Sequence, residues 1–505
     1  MKLKVKNLPI ATGNIIIAVL CERDATNLDL QPADRILLKC GRKKVVATVD
    51  ITSSLEGDGK YKKTMIHPGQ IGLFYEAQEA LKLKSGRYVE IFSAQKPESL
   101  HYIRRKLNGK KLSKQEIYEI ISDITKGNLS DVEMSYFVAG SFIHELDMEE
   151  VAELTNAMVS SGKVLKFNKK IIVDKHCIGG VAANRTSMVV VPILAAAGLT
   201  VPKTSSRSIT SAAGTADTVE VLCPVTLSLS KMKSVVKKTN ACLVWGGAMN
   251  LAPADDKIIQ VEHPLSIDPE GQLLASILAK KKSVSATHVL IDIPVGRGAK
   301  IIDMKQANGL KNKFEQLGKK LNMKIKVIIT DGSQPIGNGI GPSLEARDVL
   351  WTLKNSSRGS TLLRDKSLLM AGGLLELTCK AKKGKGVSMA RSILESGKAY
   401  EKLIEIVKAQ GGKERKPDKI RLARKKYDVC APNSGIIKHI DNGLMNKIAR
   451  IAGAPHDQEA GLYLYYHKGS KVKKGERLFT VYSDSSERLK YAIDVWRKLK
   501  GIEIK

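Results

Sequence analysis

Residues 203–220 read Lys203-Thr-Ser-Ser-Arg-Ser-Ile-Thr-Ser-Ala-Ala-Gly-Thr-Ala-Asp-Thr-Val-Glu220. The stretch is dense in hydroxyls and small side chains. Short side chains let backbone N–H groups approach an anion, and hydroxyls with Arg207 complete its hydrogen bonds. A polar loop with helix caps would use one or two hydroxyls, far fewer than are present, so an anion site is the better reading. Ahead of it runs Met188–Pro202, nearly unbroken in apolar residues but interrupted by Pro192 and Gly198. At that length it cannot supply the roughly 20 residues of a spanning helix, and it reads as a buried strand leading into a helix. Around it, Ile171–Val173, Ser187–Val191, His288–Ile293 and Lys326–Ile329 alternate with helical stretches and glycine-rich turns. That alternation predicts an α/β core with a largely parallel sheet.

Other segments gather around this core. Asp174-Lys-His-Cys-Ile-Gly-Gly180 follows the strand Ile171–Val173. A glycine-rich turn there would set Lys175 and His176 at the carboxyl end of the sheet, where α/β ligand sites form. A bland turn is at least as good a reading of the glycines alone. Thr186 and Ser187 follow with two more hydroxyls. Further on, Asp268-Pro-Glu-Gly-Gln-Leu-Leu-Ala-Ser276-Ile-Leu-Ala-Lys280 starts as a helix does, with Asp at the cap and Pro in the first turn. Ser276 and Lys280, four apart, share one face. From spacing alone Asp268 is equally a cap or an acid at the mouth of that helix. The glycines of Gln334–Glu345 do not fall in the order G-x-G-x-x-G, which disfavours a dinucleotide cofactor. No His or Cys spacing suggests a metal.

Outward from the core, residues 1 to about 95 read as a small β domain, with β-branched segments at Ile15–Leu20, Arg35–Lys39, Lys44–Ile51 and Tyr88–Ile91. The period then changes. Ser113 with Glu116, Ser130 with Glu133 and Asp147 with Glu150 have capping-box spacing, and Ile117, Ile120, Ile121 and Ile124 recur at helical intervals. A helical subdomain is expected there. Lys413–Lys426 looks like a linker or a solvated helix. The turn signals after it punctuate a compact terminal α+β unit.

The chain has 505 residues, 43% hydrophobic and 27% charged, ordinary values for a folded protein of several domains. Lys and Arg number 83 against 51 Asp and Glu, a surplus of +32 that must attract anions. Nucleic acid is disfavoured as the target by 5% aromatics, too few rings for stacking platforms. Seven cysteines with no C-x-x-C pair argue for a reducing compartment, and the start has no signal-peptide core, so a cytoplasmic location without a membrane partner is expected.

Taken together, these segments resemble the thymidine and pyrimidine-nucleoside phosphorylase family, and within it the archaeal branch acting on AMP. The family signature is met by Ser205, Ser206, Arg207, Ala212, Ala213, Gly214, Thr215, Asp217 and Glu220. Asp174–Gly180, Trp245–Asp256 and Pro335–Glu345 match as well. The resemblance implies an N-terminal β domain over 1–95 and a helical domain over 98–165 plus about 253–283. It implies an α/β phosphate-binding domain over 166–252 plus 284–425, forming a cleft with the helical one, and a C-terminal α+β domain over 428–505. It implies phosphorolysis of nucleoside 5′-monophosphates, AMP first with CMP and UMP as further substrates. Lys175, Ser205, Thr215 and Ser187 would hold inorganic phosphate. Gly180, Ser206, Arg207, Ser208, Ile209, Thr210, Ser211, Thr215, Ser276 and Lys300 would bind AMP, and Asp268 would give the proton to the departing base. No cofactor or metal is implied beyond phosphate as co-substrate, and a homodimer or larger homo-oligomer is expected. Two positions depart from the pattern. Val261 stands where pyrimidine phosphorylases carry a base-reading arginine, which removes a forked donor suited to a pyrimidine carbonyl. Cys177 replaces a phosphate-binding serine with a weaker donor.

Overall fold

The computed structural model describes residues 1–505 except 14, 53–64, 95, 209, 210, 250, 263, 265 and 266. It divides into two compact units, 1–110 with 122–137, and 111–121 with 138–505.

In the first unit six strands close into a barrel. Their spatial order is Lys2–Asn7, Gln70–Leu73, Ile17–Cys21, Lys43–Thr52, Arg35–Cys40 and Tyr88–Ser93. Alternation builds it: Leu3 and Val5 are buried while Lys2 and Lys4 stay in water. Ile36 and Leu38 stand opposite Ala47 and Val45 and join Leu20, Ile71 and Val89 in the interior. Closure leaves no strand edge open for pairing. Two short helices, Glu22–Asn27 and Tyr75–Leu81, complement the strands read from the sequence. Farther along this unit Ser130 and Glu133 form a capping box: the Ser130 N–H donates to Glu133 at 2.7 Å and the Glu133 N–H to Ser130 Oγ at 3.3 Å.

In the second unit the helix Met148–Ser161 starts at Asp147, which accepts from the N–H groups of Glu149 and Glu150 while Glu150 reaches back to the Asp147 N–H at 2.9 Å. That helix lies against Glu270–Ser283; a Cβ added at Gly271 would stand 3.0 Å from Leu146 and 3.1 Å from Val151. The helix Pro253–Glu262 packs beside them.

The sheet at the centre of this unit is parallel. Lys324–Asp331 pairs with His288–Val295, which pairs with Val173–Cys177. Val201–Ser205 pairs with Ala241–Trp245, and a parallel bridge from Ile172 to Thr200 joins the two sets. Val289, Leu290 and Ile291 are fully buried in the central strand, as a parallel sheet covered on both faces requires. The helices Thr186–Ala196, Thr361–Leu377 and Lys398–Gln410 share one core with it. Last, two small antiparallel sheets and the helices Asn442–Ala452 and Ser486–Leu499 make the terminal α+β part, where Phe479 meets Trp496 edge-on at 4.8 Å.

Three local expectations are corrected. Ser187–Val191, expected as strand, lies in the helix Thr186–Ala196, with Pro192 inside it. Nearly every side chain of that helix is buried, so its sequence carries no amphipathic period to separate it from a core strand. The strand expected at Ile171–Val173 runs instead over Val173–Cys177, taking in Asp174, Lys175 and His176. Charged residues read as a turn when their buried partners, distant in sequence, are not visible. Within Lys413–Lys426 the chain is neither plain linker nor helix: it makes one short 3-10 turn, Pro417–Lys419, and then enters the strand Lys425–Cys430.

Candidate active site

The strand Val173–Cys177 carries Lys175 into the sheet, where its side chain is only 2% exposed. Its Nζ donates to Thr186 Oγ1 at 2.7 Å and lies 3.7 Å from Asp292. Asp292, from the neighbouring strand, is also 3.0 Å from Lys366 and accepts from the Thr330 hydroxyl at 2.7 Å. Burial pushes Lys175 below its ordinary value in spite of Asp292. Burial alone would raise Asp292, but Lys175 and Lys366 prevail and hold it below the usual carboxylate range. The Cys177 thiol is pushed up by burial and by Asp292; its sulfur accepts from Asn184 Nδ2 at 3.1 Å. Thr186, rather than Ser187, thus takes the lysine's hydrogen bond, and Ser187 is buried in the first turn of the same helix.

The hydroxyl-rich loop leaves the strand Val201–Ser205 and enters the short helix Thr215–Glu220. Its shape rests on Asp217, whose carboxylate accepts from the Ser208 N–H at 2.7 Å, the Gly214 N–H at 2.8 Å and Arg207 at 3.0 Å. Arg207 is committed to the loop itself. Its two terminal nitrogens reach the two oxygens of Glu220 at 2.6 and 2.7 Å, and its guanidinium lies 4.9 Å over the Trp245 ring. Ser205 Oγ donates to the Val244 carbonyl at 3.2 Å. Ser208 turns its hydroxyl to the Ser211 carbonyl, and Ser211 donates to the Ala213 carbonyl at 2.9 Å. Ile209 and Thr210 lie outside the described residues. Thr215 accepts a hydrogen bond at 3.0 Å from Arg185, a buried arginine that sequence reading did not single out. The pattern offered one signal: a cation directly before the Thr186–Ser187 pair.

Gly180 has φ +86°, and a Cβ there would stand 2.2 Å from the Lys300 backbone nitrogen. Only glycine lets the turn after Cys177 lie against the loop that carries Lys300. The Lys300 side chain pairs with Asp268, each side chain 37% exposed. Of the two readings that the spacing left open for Asp268, cap or acid, the cap is not realised. The helix Glu270–Ser283 takes Pro269 as its cap residue with no side-chain cap bond, because Asp268 spends its carboxylate on Lys300. Ser276, half-buried, lies on that helix one turn before Lys280, which holds Asp255 at 2.6 Å. Nearby, burial and then the charges of Asp268 and Asp255 push Glu262 up to about 8. Val261 is buried. Among the described residues no three His, Cys, Asp or Glu side chains gather as a metal site, and no helix is long and apolar enough to cross a membrane.

A parallel sheet with buried cations and a hydroxyl loop near its strand ends, next to a helical layer, defines the class. Residues 100–162 match the helical bundle domain of the glycosyl transferase family and 169–400 its a/b domain. Residues 436–503 match the pyrimidine nucleoside phosphorylase C-terminal domain. The fold of anthranilate phosphoribosyltransferase from Thermus thermophilus is similar, with a TM-score of 0.52 over 61% of this chain and 98% of that one at 19% identity. The AMP phosphorylase of Thermococcus sibiricus is 46% identical over 505 residues, 100% of this chain and 98% of that protein. That of Methanocaldococcus jannaschii is 44% identical over 502 residues, 99% of this chain and 97% of its own. The chain belongs to the AMP phosphorylase family.

The loop predicts its own weak point. A Cβ at Gly214 would stand 2.5 Å from the Arg207 carbonyl carbon and from the Ser206 carbonyl oxygen. Both are backbone atoms without a rotamer to yield. Gly214→Ala is expected to lower stability by about 1–3 kcal/mol, read as a shifted denaturant midpoint. An unchanged midpoint would show that the loop is free to move.

Proposed function

We propose that the protein cleaves AMP with inorganic phosphate to adenine and α-D-ribose 1,5-bisphosphate, with CMP and UMP as further substrates. The observation that carries this reading is the identity with AMP phosphorylases from end to end, N-terminal barrel included. In the reaction a phosphate oxygen bonds to C1′ as the C1′–N9 bond breaks and its electron pair leaves with the base. The transition state is oxocarbenium-like, so an anion held beside it both stabilises and captures the positive charge. Lys175, Ser205, Thr215 and Ser187 hold that anion. Adenine leaves poorly as an anion, and Asp268 supplies its proton; the proton of the attacking phosphate restores it. Gly180, Ser206, the loop 208–211, Ser276 and Lys300 receive the nucleotide. Arg207 acts by shaping the loop, since its guanidinium already holds Asp217 and Glu220.

Lys300 and Asp268 satisfy each other in the free enzyme. A 5′-phosphate offers Lys300 a dianion instead, and taking it leaves Asp268 facing the base. Adenosine has nothing to offer. The seven free thiols support work in the reducing cytoplasm. Exposed Val132, Tyr136 and Ile143 on the helix Asp131–Ile143 support a homo-oligomer; light scattering is expected to give at least twice the chain mass, and a monomer at working concentration would refute it.

Adenine release from AMP is expected to require phosphate, to exceed the release of thymine from thymidine and of adenine from adenosine, and to be largely lost in Asp268→Asn with AMP binding kept. Phosphate-independent release, or normal turnover in that variant, would sink the assignment. For Lys300→Ala, efficiency on AMP is expected to fall about one to two orders of magnitude, the roughly 1.5–3 kcal/mol of a charge-assisted contact. Efficiency on adenosine is expected to stay nearly level. Equal losses on both would show that the 5′-phosphate is read elsewhere.

A further inference from the structure

Two buried cations flank the start of the helix Thr186–Ala196. One is Lys175, which donates to Thr186. The other is Arg185, whose guanidinium makes three separate bonds. Its Nε meets Glu345 at 2.5 Å, one terminal nitrogen donates to the Ala213 carbonyl at 2.7 Å, and the other donates to Thr215 Oγ1 at 3.0 Å. Glu345 also accepts from the Thr218 hydroxyl at 2.8 Å. Arg185 therefore reaches both ends of the link between the hydroxyl loop and its helix, and it anchors that link to the helix Pro342–Leu353, which carries Glu345.

A hydroxyl has one proton to give and two lone pairs to receive. With Arg185 filling a lone pair of Thr215, the single proton must point away from the guanidinium. We infer that Arg185 is a positioning residue for the attacking phosphate: its fork fixes the Thr215 hydroxyl with the proton aimed outward, ready to donate to the anion. The inference rests on the reading that Thr215 holds phosphate. A guanidinium suits this task because its rigid planar fork serves three acceptors at once, whereas an ammonium is a point charge on a flexible stem. Were Arg185 only the partner of the buried carboxylate of Glu345, the bond to Thr215 would be incidental.

A double-mutant cycle separates these, read as the dissociation constant of inorganic phosphate by calorimetry on the full chain. Thr215→Val is expected to weaken phosphate about tenfold, the loss of one good hydrogen bond. Arg185→Lys, which keeps the charge beside Glu345, is expected to weaken it by a similar factor, and the double variant no further than either single one. Losses that multiply, or an Arg185→Lys affinity within twofold of the parent, overturn the inference. Glu345→Gln guards against a variant that simply fails to fold. It removes the ion pair but leaves the donor to Thr215, so it is expected to lower the melting temperature while sparing phosphate affinity; a tenfold loss there overturns the inference too. A parent protein that binds phosphate yet releases no adenine from AMP would sink the proposed function and leave this cycle readable. One that binds no phosphate sinks both.

Discussion

A carboxylate cannot sit unaccompanied inside a parallel sheet, and the central unit is organised around the way Asp174 is accompanied. It is fully buried on the strand Val173–Cys177. Lys203 from the adjacent strand lies 3.1 Å away and Lys281 from the helix Glu270–Ser283 lies 2.8 Å away. Removing one partner of a buried pair typically costs about 3–5 kcal/mol, so the three elements are held to one another by charge as well as by packing. Burial alone would raise Asp174, but the two lysines outweigh it and hold it low. With two ammonium groups competing for one carboxylate, burial and Lys281 push Lys203 down.

The same strand serves the site. Successive side chains of a strand point to opposite faces, so Asp174 anchors the sheet on one side while Lys175 turns to Thr186 and Asp292 on the other. Fixing Asp174 fixes Lys175. Because Lys281 sits on the helix that carries Ser276 and follows Asp268, the anchor also ties the proposed nucleotide contacts to the strand that carries Lys175, the lysine proposed to hold phosphate.

Much of this was legible from residues whose partners are near in sequence. The capping boxes of Ser113, Ser130 and Asp147 are local devices, and all three are present. The hydroxyl loop declared itself by composition. What was not legible depends on distant partners. Arg207 reads from sequence as a ligand-binding cation, with no sign of its ion pairs to Asp217 and Glu220; Asp268 reads equally as a cap or an acid, with no sign that Lys300, 32 residues on, takes its carboxylate. Arg185 was passed over because its acceptors come from residues 28, 30 and 160 positions away. The buried helix Thr186–Ala196 was missed for a different reason: apolar on every side, it shows no period to read.

Exposure then sorts the charged pairs into those that hold the fold and those a substrate can rearrange. The carboxylate of Asp174 is fully buried between Lys203 and Lys281, and a ligand arriving from water cannot displace these two lysines without stranding a charge at a cost of several kcal/mol. The pair Lys300–Asp268 stands more than a third exposed on both sides. An ion pair so placed is worth about 0–1 kcal/mol, because water competes for both partners. A dianionic phosphate competes better than water does. Of the pairs around the proposed site, this one is therefore built to open, and it joins the lysine assigned to the 5′-phosphate to the acid assigned to the base.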